Sequence, residues 1–335
     1  MSTTVRPAEA AVRGGRTREH LSLAAVATVV LALAAGSMFV GVSDVSLPAL
    51  LSGDSATADV FWVSRVPRTL AVALAGMSVA VAGLIMQLMA RNRFVEPSTV
   101  GTVESATLGI LVVTVFLPGA PVLLTMGVAS IFAVLGTGLF LAILRRLPAR
   151  NTLLIPLVGI MLGGVIAAVT TFFAYRYDLL QTLSNWMIGD FSGVLRGRYE
   201  LLWIVAILTL VGLLAADRFT VAGMGQEFTT NLGLDYARTM RLGLVIVSLI
   251  AAVVVTTVGA VPFLGLVVPN IVSLLFGDNL RRAVPWTALF GAGFVLVCDV
   301  IGRTIRYPYE VPVGVVMSVV GAVLFLFLIL RKRNA

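Results

Sequence analysis

The chain has 335 residues, of which 59% are hydrophobic and 12% are charged, and its mean hydropathy is +1.03. This composition excludes a protein whose whole surface faces water. The apolar residues form successive runs of about 20, the length that crosses a hydrocarbon core of roughly 30 Å as a helix, whereas barrel strands would alternate apolar and polar residues. The sequence therefore predicts an all-α integral membrane protein, with a formal net charge of +8.

Ten membrane spans are predicted in chain order between two basic tails. Residues 1–20 carry four arginines among proline and glycine and are predicted to be a disordered cytoplasmic tail, and residues 331–335 form a second cytoplasmic tail. Between them, 21–330 is predicted to be a transmembrane permease domain. Its spans are 21–42, 66–89, 98–117, 121–144, 152–174, 200–216, 240–258, 261–277, 284–303 and 311–330.

The positive-inside rule supports this count. Alternating from the inside, the following arginines fall in cytoplasmic connections: Arg91, Arg93, Arg145, Arg146, Arg150, Arg218, Arg238, Arg281 and Arg282. The outer connections hold Asp44, Asp54, Asp59 and Asp178, and an amphipathic stretch at 175–195 is predicted to lie in the interface. Because spans three, four and eight are short or contain glycine and proline, an eight-span topology is an alternative.

The residue inventory limits the chemistry of this chain. One histidine, His20, and one cysteine, Cys298, cannot supply a multi-ligand zinc, haem or iron–sulfur site. The only lysine, Lys332, lies in the C-terminal tail, so the phosphate-binding motif G-x-x-x-x-G-K-[ST] is absent from the sequence. If ATP drives transport through this protein, another polypeptide hydrolyses it.

Arginines on the outer side run against the charge rule. Arg65 and Arg68 stand where the chain re-enters the membrane, and Arg303 and Arg306 stand at the outer end of span nine. One interpretation is internal pairing with Asp59, Glu310 or lipid phosphate. The other is a cationic rim that docks acidic side chains of an extracytoplasmic partner.

Several polar or small residues within the spans have a structural and a functional interpretation. Asp299 lies four residues before Arg303, so the two are predicted to pair on one helix face rather than to form a proton relay. Gln87 and the hydroxyls of Thr170, Thr171, Thr256 and Thr257 could line a polar path or bridge helices. The GxxxG motif Gly159–Gly163 predicts close helix packing.

The longest predicted cytoplasmic loop, 217–241, has helical character, with Gly225 and Gly233 as breaks. A short element of this kind either inserts into a groove of a soluble partner or is an ordinary surface loop. The sequence alone leaves both interpretations open.

The motifs taken together resemble the permease subunits of ABC importers for iron–siderophore complexes, haem and cobalamin, the FecCD-type family. The resemblance covers about residues 20–332. The motifs that carry it are Arg65-Val-Pro-Arg68, Gly76–Gln87, Arg91-Asn92-Arg93-Phe94-Val95-Glu96-Pro97, Leu232-Gly233, Gly259–Pro269, Gly277-Asp278 with Arg281, Asp299 with Arg303, and Glu310-Val-Pro-Val-Gly314.

The resemblance implies a type II ABC importer permease in the cytoplasmic membrane of a bacterium. Such a subunit pairs with an identical or different permease, sits on two cytoplasmic ATPases and receives ferric siderophore from an extracytoplasmic binding protein. Arg65, Arg68 and Arg303 would dock that protein. The coupling loop would contact the ATPase through Gly225, Gln226, Glu227, Thr230, Asn231, Leu232 and Gly233. The structural or pathway candidates are Gln87, Asn92, Glu96, Pro97, Gly265, Pro269, Asn270, Asp299, Glu310 and Pro312.

The same resemblance implies that this chain binds no metal or cofactor and that ATP and Mg²⁺ belong to the partner ATPase. The form Asn-Arg-Phe-Val-Glu-Pro resembles the branch that serves catecholate-type siderophores such as petrobactin or anguibactin. The sequence departs from the family at Gln226, Thr229, Asn270 and Val323, where an acidic residue, alanine, histidine and proline are frequent. A haem or cobalamin permease is the alternative within the family. An ion-coupled secondary transporter, with Asp299 or Glu104 as its carboxylate, and an intramembrane enzyme are the alternatives outside it.

Overall fold

The structure is a computed structural model, and it describes residues 6–41, 45–52, 54–146, 154–197, 199–277 and 279–332. Asp44, Arg150, Asp278 and Arg333, which the sequence predictions used, lie outside these ranges.

The described residues form fifteen α-helices. The first eight are α1 (Arg6–Ser37), α2 (Leu47–Leu51), α3 (Ser55–Val60), α4 (Val66–Met89), α5 (Thr102–Phe116), α6 (Val122–Leu144), α7 (Leu154–Arg176) and α8 (Leu180–Met187). The others are α9 (Leu202–Leu214), α10 (Ala216–Met224), α11 (Gln226–Asn231), α12 (Tyr236–Val258), α13 (Leu264–Phe276), α14 (Leu280–Thr304) and α15 (Val313–Lys332).

Every predicted span contains a helix, but not every helix has the length of a full span. Six are long and apolar enough to cross a membrane, or seven if the bent pair of α9 and α10 is one span. The pair is bent by 60°, and three further apolar helices, Leu21–Ser37, Thr102–Phe116 and Leu264–Phe276, have only 10–17 residues. The structure therefore shows an all-helical membrane fold without establishing ten spans.

Two predictions about segment ends differ from the structure. The segment predicted to be a disordered tail is helical from Arg6 onward. The helix predicted to start at residue 66 extends back to Ser55, because a π-helical turn, Phe61–Arg65, joins α3 to α4 without a break. The helical character predicted for the loop 217–241 is confirmed, since α10, α11 and the start of α12 occupy most of it.

Helix α4 lies at the centre of the protein and packs against α9, α12, α13 and α14. Its glycines allow backbones to touch: a Cβ on Gly76 would lie 2.7 Å from the carbonyl oxygen of Gly291, and one on Gly83 would lie 2.1 Å from that of Gly265. Lipid offers no hydrophobic force that drives helices together, so such close contacts between small residues hold membrane helices in place.

Helices α6, α7 and α15 lie at the periphery and expose apolar side chains. Ile131, Ile160, Val165, Phe172 and Leu326 are among them. An apolar surface of this size faces either lipid or another membrane subunit.

Candidate functional site

A buried ion-pair network joins α4 and α14 at one end of the bundle. The Nε and Nη2 atoms of Arg68 donate to Oδ1 of Asp299 at 3.1 and 2.9 Å, and its Nη1 donates to Oε2 of Glu310 at 2.7 Å. Asp299 is fully buried. Two hydrogen bonds from one guanidinium to a buried carboxylate fix the orientation of both side chains. Removing either partner would leave the other as an unpaired buried charge.

Arg303 and Arg65 extend this network to the end of α1. Arg303 pairs with Asp299, as the sequence predicted from their spacing, and its Nη1 donates to the carbonyl oxygens of Ser37 and Val40 at 2.9 and 2.7 Å. Nη1 of Arg65 donates to the same Val40 oxygen at 2.8 Å. Ser37 is the last residue of α1 and Val40 lies just after it, in the region where helical carbonyls lack partners within the helix.

The five charged residues Arg65, Arg68, Asp299, Arg303 and Glu310 are named the arginine cluster below. Arg65, Arg68 and Arg303 are each at most 7% exposed, so these three do not form the open cationic rim considered from the sequence. Arg68 pairs with Glu310, as in the internal-pairing interpretation, and Asp299 is the shared partner of Arg68 and Arg303. No ion pair joins Asp59 to these arginines within the described ranges.

Gln87 has a specific structural partner on α13. Pro269 has no N–H and cannot donate to the carbonyl oxygen of Gly265 four residues earlier. Nε2 of Gln87 donates to that oxygen instead, at 3.1 Å, and both residues are buried. In a membrane protein a carbonyl that loses its helical partner to a proline needs a hydrogen-bond donor from a neighbour. Gln87 on α4 provides this donor.

Glu96 lies in the connection between α4 and α5 and caps the start of α13. Its Oε1 accepts hydrogen bonds from the Phe263 backbone N–H at 3.2 Å and from the Ser98 hydroxyl at 2.6 Å. The N–H groups of Leu266 and Gly265 also donate to it. Burial raises the pKa of the Glu96 carboxyl to about 7, although these donors oppose the rise.

The other pathway candidates form two groups, one around the connection between α4 and α5 and one far from it. Nδ2 of Asn270 donates to the carbonyl oxygens of Arg93 and Leu266 at 2.9 and 2.7 Å, which ties α13 to this connection. Oδ1 of Asn92 accepts the Phe94 N–H at 2.8 Å, and Pro97 is buried in the following turn. Pro312 precedes α15, beside the arginine cluster, so the candidates form two separate groups.

The predicted coupling loop folds into two short helices. Gly225 joins α10 to α11 with φ +125°, and a Cβ there would lie 2.9 Å from Nη2 of Arg91. The buried Thr229 hydroxyl donates to the carbonyl oxygens of Gly225 and Val221 at 2.5 and 3.1 Å, so this departure from the family pattern locks the two helices together.

The outer surface of this pair of helices is exposed. Gln226, Glu227, Thr230, Asn231, Leu232 and Gly233 are all exposed, and Gly225 is buried. Met224, Phe228 and Leu232 expose between 50% and 61% of their surface, an unusual amount for apolar side chains outside the long helices. We name residues 224–232 the coupling surface.

The structure also tests two further sequence interpretations. The close packing predicted from Gly159 and Gly163 is confirmed, since a Cβ on Gly159 would lie 2.2 Å from the Thr99 carbonyl oxygen. The hydroxyls of Thr170, Thr256 and Thr257 donate to carbonyls of their own helices, which satisfies them without a polar path.

Sequence reasoning missed the role of the end of α1. Ser37 and Val40 contribute backbone acceptors, and backbone groups leave no trace in residue identity. It also missed the proline-dependent role of Gln87, for which Pro269 inside an apolar helix was the available signal.

Comparisons with known proteins find relatives that match nearly the whole chain. Residues 24–331 match the FecCD transport family. The chain is 47% identical to the petrobactin import system permease protein YclN of Bacillus subtilis (strain 168), over 91% of this chain and 96% of that protein. It is 43% identical to the ferric-anguibactin transport system permease protein FatD of Vibrio anguillarum (strain ATCC 68554 / 775), over 90% and 96%.

A more distant relative and a solved structure agree with this. The vitamin B12 import system permease protein BtuC of Yersinia pseudotuberculosis (serotype O:1b, strain IP 31758) is 33% identical, over 82% of each chain. The fold superposes on an inward-facing conformation of an ABC transporter of the metal-chelate type with a TM-score of 0.80 at 21% identity, over 92% of this chain and 98% of that one. The chain therefore belongs to the FecCD transport family.

Proposed function

We propose that this protein is the permease subunit of an ATP-binding-cassette importer that moves ferric siderophore across the bacterial cytoplasmic membrane by alternating access. The observation that carries the proposal is the 42–47% identity, over about 90% of the chain, to permeases named for petrobactin and anguibactin import. A vitamin B12 permease shares only 33% identity, which favours a siderophore over cobalamin.

The proposed topology is ten spans with both termini in the cytoplasm. The three short apolar helices and the bent pair of α9 and α10 supply the spans beyond the six full-length helices. In this arrangement the coupling surface and both basic tails face the cytoplasm, in agreement with the positive-inside rule. The arginine cluster faces outward.

Energy is proposed to come from two ATPase subunits, one bound at the coupling surface of each permease in the pair. Met224, Phe228 and Leu232 would fill a groove of each ATPase, while Thr229 and Gly225 hold the shape of the inserted element. ATP and Mg²⁺ would be bound by the ATPase. A second permease, identical or different, would cover the exposed apolar faces of the peripheral helices, with the path for cargo between the two subunits.

An extracytoplasmic binding protein is proposed to dock at the arginine cluster. Because Arg68 is buried and already paired, an incoming carboxylate would have to displace Glu310, whose side chain is 27% exposed. Glu310→Gln is therefore expected to strengthen docking, measured by surface plasmon resonance on the detergent-purified permease. Unchanged affinity would remove Arg68 from the docking site.

Stimulated ATP hydrolysis tests the central proposal. The permease is reconstituted in nanodiscs with the ATPase and binding protein encoded beside it, and hydrolysis is measured with ferric catecholate siderophore, haem or cobalamin. Stimulation by the ferric siderophore alone is the expected result. Stimulation by haem or cobalamin would support the alternative cargo, and transport driven by an ion gradient without any ATPase would overturn the proposal.

A pair of charge-matched variants tests the coupling surface within that assay. Phe228→Asp places a carboxylate at the centre of the proposed contact and is expected to abolish ATPase binding. Asn279→Asp adds the same charge at an exposed helix N-cap, where aspartate is favoured, and is expected to leave binding intact. Equal ATPase binding by both variants would exclude the coupling surface from the contact.

A further inference from the structure

A large open groove lies between α10 and α12, behind the coupling surface. Its volume is about 820 Å³, and Arg218, Asp235, Arg238, Arg241, Leu242 and Val245 are among the residues that line it. The pathway candidates and the arginine cluster contribute nothing to its lining. Its size is in the range of pockets that hold small-molecule ligands.

The charge of the groove is strongly positive. Arg218, Arg238 and Arg241 are exposed, and no hydrogen bond or ion pair of their guanidinium groups is found among the described residues. Asp235 is the acidic residue of the lining, and its Oδ1 already accepts the backbone N–H of Arg238 at 2.9 Å. Nearby Asp217 pairs with Arg281 at 3.5 Å. Three cations against one carboxylate leave a net charge of +2.

The apolar wall of the groove lies on a membrane-spanning helix, α12, which also carries two of the three arginines. Arg238, Arg241 and Val245 lie three and four residues apart, so they form one stripe along α12. Val245 is 41% exposed, and Leu242 beside it is partly exposed. Val245 lies nine residues beyond the start of α12, which is about 14 Å along the helix axis.

Neighbouring positions of α12 show where this stripe meets α6. The Ser248 hydroxyl donates to the Thr137 hydroxyl at 3.2 Å, and a Cβ on Gly138 would lie 3.9 Å from Leu244. Because Ser248 lies three residues after Val245 on the same stripe, the open part of the stripe ends at Val245. Val245 lies seven residues beyond Arg238, about 10 Å along the helix axis. A ligand for the groove must be anionic at the arginines and apolar where it contacts Leu242 and Val245.

We propose that this groove binds one anionic phospholipid, with the phosphate on Arg218, Arg238 and Arg241 and an acyl chain along Leu242 and Val245. Basic pockets between membrane helices on the cytoplasmic side have this combination of charge and apolar wall. An ATPase also carries acidic side chains, but a water-soluble subunit would stop at the headgroups and could not cover Val245 on a membrane-spanning helix. The lipid site itself does not depend on the proposed function, but the membrane leaflet that supplies the lipid does. If the coupling surface faces the cytoplasm, the lipid comes from the cytoplasmic leaflet.

Native mass spectrometry on the detergent-purified permease tests this site. Delipidated protein is mixed with equal amounts of phosphatidylglycerol and phosphatidylcholine, and bound lipid is counted. The wild type is expected to retain one phosphatidylglycerol. Arg238→Gln with Arg241→Gln is expected to weaken that retention by about tenfold or more, and Arg331→Gln with Lys332→Gln, which removes two charges at the end of α15, is expected to keep it.

A second variant tests the apolar wall without changing charge. Val245→Trp fills the space of the acyl chain and is expected to reduce retention of long-chain phosphatidylglycerol while a short-chain form still binds. Thermal melting of each variant checks that the fold is intact, so lost retention in a folded variant is a property of the groove.

Four results would overturn the proposal. Three are equal retention of both lipids, equal loss in the R331Q/K332Q control, and displacement of the lipid by millimolar inorganic phosphate, which would indicate a free-phosphate site. The fourth is complete displacement of the lipid by the purified ATPase, which would assign the arginines to the ATPase contact.

The orientation is tested separately from lipid binding. A cysteine placed at Glu227 is labelled with a membrane-impermeant maleimide in intact cells and in inverted vesicles. Labelling only in inverted vesicles is expected. Labelling in intact cells would overturn the proposed topology and move the bound lipid to the outer leaflet, while the lipid count would still report on the groove itself.

Discussion

The side-chain amide of Gln87 on α4 donates to the carbonyl oxygen of Gly265 on α13, at 3.1 Å, in place of the N–H that Pro269 lacks. This one bond lets a proline sit inside a buried helix of the membrane fold without an orphaned acceptor. Gly83 comes into backbone contact with Gly265 at the same place. The packing of α4 on α13 therefore depends on the contacts that Gln87 and Gly83 make with Gly265, a residue far from both in the sequence.

Replacing Gln87 by methionine keeps the side-chain length and removes the donor. We expect a loss of about 1–3 kcal/mol in stability, the cost of an unsatisfied buried carbonyl. The measurement is thermal unfolding in detergent as a double-mutant cycle with Pro269→Ala, which restores a backbone N–H for Gly265. A Gln87→Met cost as large in the Pro269→Ala background as in the wild type would show that the amide does not serve this carbonyl.

Gly83→Ala is expected to destabilise the protein by about 3 kcal/mol or more, because the added methyl would meet backbone rather than a movable side chain. Gly164→Ala is the matched control, since nothing lies within 4 Å of a Cβ at that helical position. The control is expected to fold as well as the wild type or slightly better. Folded yield after size-exclusion chromatography and melting temperature compare the two, and equal values would refute the close contact.

Asp299→Asn is expected to cost about 3–5 kcal/mol, because it leaves Arg68 and Arg303 buried without their shared anion. Asp217→Asn removes an exposed ion pair with Arg281 and is expected to change stability by less than about 1 kcal/mol. Unfolding in detergent reports both changes. A tolerated Asp299→Asn would indicate that Glu310 suffices for Arg68 and that the backbone carbonyls of Ser37 and Val40 suffice for Arg303.

Glu96 predicts a pH dependence of stability. Its carboxyl pKa is about 7 in the folded protein against an ordinary 4.5, so between these values the folded state holds a proton that the unfolded state has released. This residue's contribution to stability therefore falls as pH rises from 4.5 to 7 and is constant above that. Glu96→Gln is expected to flatten the fall in melting temperature between pH 5 and 8. Glu227→Gln, at an exposed position, is the control and is expected to keep it.

Much of the fold follows from the sequence because its causes are local. Runs of apolar residues predict helices wherever they occur, since no other single segment satisfies its backbone in lipid. Each predicted span accordingly holds a helix, and the spacing of Asp299 and Arg303 by four residues was enough to predict their pairing. The motifs from Arg65 to Gly314 were enough to predict the family, and the family match over residues 24–331 confirms it.

The tertiary structure decided which partner each polar side chain meets, because those partners are distant in sequence or belong to the backbone. Residue identity marked Arg65, Arg68 and Arg303 as unusual but could not say that Asp299, Glu310 and the end of α1 would bury them. It marked Arg218 and Arg238 only as charges of cytoplasmic connections and did not single out Arg241, whereas the packing of α10 beside α12 brings all three around one groove. The chain's own sequence determined its membrane helices and its family, and packing determined which charges are neutralised inside and which are left for a ligand.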